Sequence, residues 1–175
     1  MKLYKPSKII ITPEMIKKAK VEDQIIYNDK SFMKGEGNFV GRLGECITYW
    51  YRPDFIEMGQ FDYDCIWKHR GKSETIDIKT KYQSPSCEPS KGWMASVCKD
   101  SEHQEVDNYI FCRIYKNGDN YPYGWVIGGI SKKDFFDKAT FYRKGQKEGD
   151  NGYEVKQGCW SLPYSELFPI KAIRK

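Results

Sequence analysis

The 175-residue chain is 39% hydrophobic, which by length is about one domain's worth and enough to bury a single core. Its 29 basic and 24 acidic residues leave a net charge of +5, an excess that admits a polyanionic partner without demanding one. Apolar runs such as Ile9 to Ile11 and Trp125 to Ile127 fall far below the ~20 residues of a membrane span. The opening MKLYKPSKIII has no apolar region of ~7 to 15 residues before a cleavage site, so neither a membrane protein nor a secreted one is expected.

Thr12 and Pro13 read as N-cap and first residue of a helix running to about Tyr27, with Met15, Ile16, Ala19 and Ile26 available for packing. With the glycine-bearing segment Asn28 to Asn38 it makes residues 1–37 a peripheral helix and connection to one domain spanning 1–175. Asn38 can cap a second helix, FVGRLGECITYWY, whose Val40, Leu43, Ile47, Trp50 and Tyr51 mark a core face. Glu45 lies about 140° from Val40, towards Arg42, and periodicity alone makes it a surface glutamate.

Pro53 ends that helix, and extended pieces follow at Asp54 to Met58, Asp62 to Lys68 and Glu74 to Lys81, an antiparallel meander. QSPSCEPSKG reads as a loop and Trp93 to Val97 as a short strand. Asn108 to Tyr115 and Tyr123 to Ile130 are strands around a turn at Asn117 to Asn120. Ser131 caps a helix over SKKDFFDKA, with Asp134 at its third position. The tail reads as loops plus a short turn at Tyr164 to Leu167 that Pro163 can start. The six cysteines form no CxxC pair and are joined by only two histidines, which points to reduced thiols in a cytoplasmic protein rather than to structural zinc.

The second hairpin carries the chemistry. A strand period of two puts Thr75, Asp77, Lys79 and Lys81 on one face, and Glu74, Ile76, Ile78 and Thr80 on the other. A turn centred on Arg70 and Gly71 sets Asp64 opposite Asp77. Like charges so placed destabilise a sheet, and a divalent ion such as Mg²⁺ held by both carboxylates would compensate. On pattern alone, a solvated hairpin shifted by one or two residues remains the alternative.

An acid on one strand followed by Asp77-Ile78-Lys79 on the next resembles the PD-(D/E)XK nuclease superfamily. GRLGE, ending in Glu45, resembles the glutamate-bearing helix that precedes the hairpin there. Together these elements cover about Asn38 to Tyr82, and WMASV, VDNYIFCRIY and YGWVIGGISKKDFF resemble small phage proteins of the superfamily. The resemblance implies a restriction-endonuclease-like α/β fold, a mixed central sheet flanked by helices. It implies a Mg²⁺-dependent deoxyribonuclease, with Mn²⁺ able to substitute.

Carried over residue by residue, Asp64, Asp77 and the Ile78 carbonyl would bind metal, with Glu45 binding directly or through water. Lys79 would orient or deprotonate the attacking water. Tyr63 stands where the literal pattern has proline, and Asp62 is an alternative ligand. Arg42 and Lys81 are expected phosphate contacts. Trp93 is the best candidate for base stacking, although core packing is the commoner fate. Gln104 is a polar neighbour of the site or simply a loop glutamine. Lys132, Lys133, Arg143, Lys144 and Lys147 form a second basic region, while His69 and Arg70 read as surface turn residues. DNA is the expected partner, in a monomer or a homodimer. A non-catalytic DNA-binding or assembly module on the same fold, and an RNA-directed nuclease, are the alternatives.

Overall fold

The computed structural model describes residues 4–25, 36–58, 62–149 and 152–171. Helix α1 (Pro13–Ile25) begins where expected, with the Met15 amide donating to Thr12 Oγ1 at 3.3 Å. The connection expected at Asn28 to Asn38 lies mostly outside the described residues. Helix α2 (Glu36–Tyr51) starts two residues before Asn38, so that asparagine belongs to its first turn and is not the cap. A glycine in a first turn interrupts no established helical ladder, which lets the helix extend through Gly37.

The expected core face of α2 is partly corrected. Val40, Leu43 and Ile47 are buried, but Trp50 is 64% exposed, because it lies at the last turn, on the margin of the stripe. Residues Leu43 to Thr48 are buried on every side. Helix α1 covers the flank that a one-sided stripe would leave to water, as shown by Met15 and Ala19 in the same core as α2.

Strand β1 (Ser7–Ile10) precedes α1. The central sheet adds β2 (Phe55–Glu57), β3 (Cys65–His69), β4 (Lys72–Gln83), β6 (Asn108–Tyr115) and β7 (Tyr123–Ser131), while β5 (Met94–Cys98) belongs elsewhere. The order is β1-β7-β6-β4-β3-β2, antiparallel throughout except for the parallel pair β4 and β6. The fold is therefore mixed α/β with a mixed six-stranded central sheet. Helix α3 (Lys132–Lys138) follows β7, and Ser131 Oγ caps it by accepting from the Asp134 amide at 3.0 Å.

The tail is not merely loops. Strands β8 (Thr140–Tyr142) and β11 (Cys159–Pro163) join β5 in a second sheet of order β5-β11-β8, and β9 (Lys147–Glu148) pairs with β10 (Tyr153–Glu154). Only the one-turn helix at Tyr164–Glu166 after Pro163 was foreseen there. CWSLP lacks strict apolar alternation, and its strand character comes from pairing with β5 more than sixty residues earlier.

Two cores sandwich the central sheet. One joins α1 and α2 to Ile76, Ile78, Ile110 and Cys112. The other joins Tyr109, Phe111, Trp125 and Ile127 to α3 and the second sheet through Phe135, Val97 and Leu162. Among the described residues no helix is long and apolar enough to cross a membrane. All six cysteines are free thiols.

Candidate active site

The β3–β4 hairpin turns through Arg70 at φ 48° and Gly71 at φ 76°. Two successive left-handed residues match the twist of adjacent strands, and glycine takes this conformation without steric penalty. The register that follows pairs Cys65 with Ile76 and His69 with Lys72. The Asp64 amide donates to the Ile76 carbonyl at 2.9 Å, although Ile76 is already the partner of Cys65, so two residues of this strand stand against one of β4, as in a β-bulge. The turn-centred register therefore holds from His69 to Cys65, but the expected direct opposition of Asp64 and Asp77 is corrected: the extra residue of the bulge displaces Asp64, and its carboxylate reaches along β4 to the Ile78 amide instead.

Alternation along β4 is also as expected. Ile76 and Ile78 enter the helix-side core, while Asp77, Lys79 and Lys81 face the other way. Asp64 Oδ2 accepts from the Ile78 amide at 2.6 Å, which fixes the carboxylate against the outer edge of β4. The Tyr49 hydroxyl and the Met58 amide both donate to the Asp64 carbonyl, at 3.2 and 2.9 Å. Asp64 is therefore held by α2, the residue that follows β2, and β4 together.

Lys79 Nζ lies 2.6 Å from Asp77 Oδ2 and donates to Gln104 Oε1 at 3.1 Å. The ammonium approaches Asp77 off hydrogen-bond alignment, so Oδ2 is buried without an aligned donor. Gln104 is indeed a loop residue, but its loop is brought to the site. Lys132 Nζ donates to its carbonyl at 2.6 Å, which gives one member of the second basic region a positioning role.

Glu45 arrives from α2 only 7% exposed, which corrects its periodicity-based placement at the surface. Arg42 Nη1 donates to both of its oxygens, at 3.0 and 2.7 Å. Burial pushes the Glu45 pKa up to about 7 against the opposing pull of Arg42. Burial, then the charges of Glu45 and Asp77, raise the Asp64 pKa well above the usual carboxylate range. Three acids feel one another at one end of the sheet, a cost that bound cation would relieve.

The donors fit a hard ion such as Mg²⁺: two adjacent carboxylates, one buried oxygen without an aligned donor, and the Ile78 carbonyl on the strand edge that faces Asp64. They do not form a tight cage. Among the described residues no three acidic, histidine or cysteine side chains converge as a ready ligand set, because Glu45 is turned onto Arg42. Mg²⁺ characteristically keeps several waters and needs few protein ligands.

The other expected residues scatter. Asp62 is exposed. Arg42 is committed to Glu45. Lys81 Nζ turns away to donate to Ser96 Oγ at 2.6 Å and lies 3.8 Å from Glu148 Oε2. Trp93 is half-buried, packed on the second core and on Arg113. Sequence reasoning missed Glu148, Ser96 and Ser161, which have no local signature, and Tyr49, whose helical position relative to Glu45 gave the one available hint. No protein-family model, no curated protein and no solved structure matches the chain.

Proposed function

We propose that the protein is a metal-dependent nuclease of the PD-(D/E)XK type, hydrolysing DNA phosphodiester bonds. The observation that carries this reading is the gathering of two acids at β4, where Asp64 Oδ2 is held by the Ile78 amide, Asp77 Oδ2 is buried without an aligned donor, and Lys79 lies beside Asp77. A structural hairpin has little reason to bury two neighbouring acids. Asp64, Asp77 and the Ile78 carbonyl would hold Mg²⁺, and Glu45 would contribute from α2. The ion, when bound, lowers the pKa of the attacking water and offsets charge on the phosphate. Lys79, fixed by Gln104, orients that water and meets a phosphate oxygen.

Purified protein is expected to cleave DNA with Mg²⁺ or Mn²⁺ and to stop on addition of EDTA. Asp77→Ala is expected to lower the rate by at least about a thousandfold. A folded Asp77→Ala protein that cleaves at the wild-type rate rejects the site. RNA run in parallel separates a ribonuclease from a deoxyribonuclease.

One observation favours a second reading, a DNA-binding module without catalysis. Arg42 neutralises Glu45, and Lys79 lies against Asp77, so the acids have partners within the chain. Under that reading Mn²⁺ leaves the melting temperature unchanged. Under the nuclease reading it raises it, and Asp64→Ala removes the shift.

A further inference from the structure

Among the six free cysteines, Cys98 ends β5 and Cys159 begins β11, and the two are direct partners in the second sheet. No other two cysteines among the described residues are paired in register. Hydrogen bonds around the pair fix how close it is. Antiparallel partners alternate between pairs that exchange their own hydrogen bonds, with Cα atoms about 5.5 Å apart, and pairs that do not, at about 4.5 Å with side chains closer. The Lys99 amide donates to the Gly158 carbonyl at 3.0 Å, one residue outside the cysteines on each strand. Cys98 and Cys159 are therefore a pair of the second, close kind.

The same row of the sheet shows side chains in contact. Ser96 and Ser161, two residues along, are partners of the same close kind, and their side-chain oxygens lie 2.9 Å apart. Cys159 Sγ lies 3.5 Å from Ser161 Oγ, so it points along that row. Ladder partners share a face of the sheet, which places the Cys98 side chain beside it. A Cα separation of about 4.5 Å is at the short end of the range that a disulfide spans, about 4.4 to 6.8 Å. Closing the bond needs little backbone movement, and a bridge formed under strain is more easily reduced than a relaxed one.

We propose that Cys98 and Cys159 are a redox-active pair that closes to a reversible cross-strand disulfide by exchange with a low-molecular-weight disulfide such as oxidised glutathione. Cys98, the exposed member, loses its proton and attacks one glutathione sulfur, breaking that S–S bond and releasing the first glutathione. Cys159, deprotonated in turn, attacks the Cys98 sulfur, displaces the second glutathione and completes the bridge. Two protein thiols are oxidised by two electrons, and one disulfide is reduced to two thiols that take up the two protons. Partial burial raises the Cys98 pKa and burial that of Cys159, so the exchange is slow at neutral pH and depends on placement rather than on an activated thiol.

The pair lies at the root of a segment that serves the candidate active site. Cys98 directly precedes the one-turn helix Lys99–Ser101, which leads to Gln104 and its bond with Lys79. Gln157 and Trp160, on either side of Cys159, already hold that segment by donating to Asp100 and Glu102, at 2.7 and 3.4 Å. A disulfide makes the same junction covalent. Its formation does not rest on the nuclease reading.

The test equilibrates the full chain at about pH 8 with oxidised glutathione, alkylates the remaining thiols, and counts and maps them by mass spectrometry. Two of the six thiols are expected to be lost, with a peptide joining Cys98 to Cys159 and no glutathione retained. Closing a loop of about sixty residues is expected to raise the melting temperature by about 5 °C or more, and dithiothreitol to reverse both changes. In Cys159→Ser, Cys98 is expected to retain one glutathione, and the rise in melting temperature is lost. Six thiols still free, glutathione left on Cys98 of the wild type, or a bridge between other cysteines overturns the pair. No step of this test reads cleavage, so an inactive protein that forms the bridge refutes only the nuclease. An active one that does not form it refutes only the pair.

Discussion

Glu45 carries the tension of the site in a single side chain. In the folded protein burial holds its proton to about pH 7, against an ordinary value of 4.5. Between those values the folded chain binds more protons than the unfolded chain, so stability falls as pH rises across that window and levels off above it. Asp64, also shifted upward, acts in the same direction. Metal-free protein in EDTA is therefore expected to be more stable at pH 5 than at pH 8. Glu45 accounts for about 3 kcal/mol of the difference at most. Urea unfolding at the two pH values checks this, with Glu45→Gln expected to flatten the dependence. A wild type equally stable at both would mean that Glu45 is ionised at little cost, and that Arg42 outweighs burial.

At the scale of elements, the contact between α2 and β4 decides whether the acids meet. Gly44 faces Thr80, and a Cβ at that glycine would come within 1.9 Å of Thr80 Oγ1. Gly44→Ala would gain up to about 1 kcal/mol of helix propensity, but the overpacking costs about 1 to 3 kcal/mol. A net loss of about 1 to 2 kcal/mol is expected in chemical denaturation. Thr80→Ala is expected to recover part of it, because it removes Oγ1 and Cγ2 and leaves Cβ at 2.8 Å. A neutral Gly44→Ala would show that α2 can stand off the sheet. The first glycine of the same motif, Gly41, has open space around it, so the two differ in what they permit.

What was legible in the sequence divides along the same line. The hairpin could be read because its turn, alternation and register are local: Arg70-Gly71 fixes the pairing from His69 to Cys65, whereas the slip at Asp64, which sets that amide against Ile76, has no local signature. The burial of Glu45 could not, because it depends on α1 packing on a flank that helical periodicity assigns to solvent. β1 was missed because SKII is only four residues long and gains its order from β7. β11 was missed because its partner β5 is remote in sequence, so the Gly- and Lys-rich tail around it dominated the reading.

Across the whole molecule, one buried network ties the second sheet to the strand that bears the site. Glu148 Oε1 accepts from Ser96 Oγ at 2.6 Å and from Ser161 Oγ, and the two serine oxygens lie 2.9 Å apart. Lys81 of β4 completes it through Ser96 and its ion pair with Glu148. Three segments far apart in sequence thus converge on one carboxylate, and burial lowers the Lys81 pKa despite Glu148. Removing one partner of such a pair strands the other's charge, which in a fully buried pair costs about 3 to 5 kcal/mol. The Lys81 side chain is still 37% exposed, so water screens part of that charge, and about 2 kcal/mol is the expected loss for Glu148→Ala. Replacing the pair together, Lys81→Met with Glu148→Leu, removes both charges and is expected to recover much of the loss. A double-mutant cycle by chemical denaturation reads the coupling. If Glu148→Ala and the pair replacement lose the same stability, the carboxylate serves the two serines rather than the lysine, and the second sheet is held to β4 by apolar packing alone.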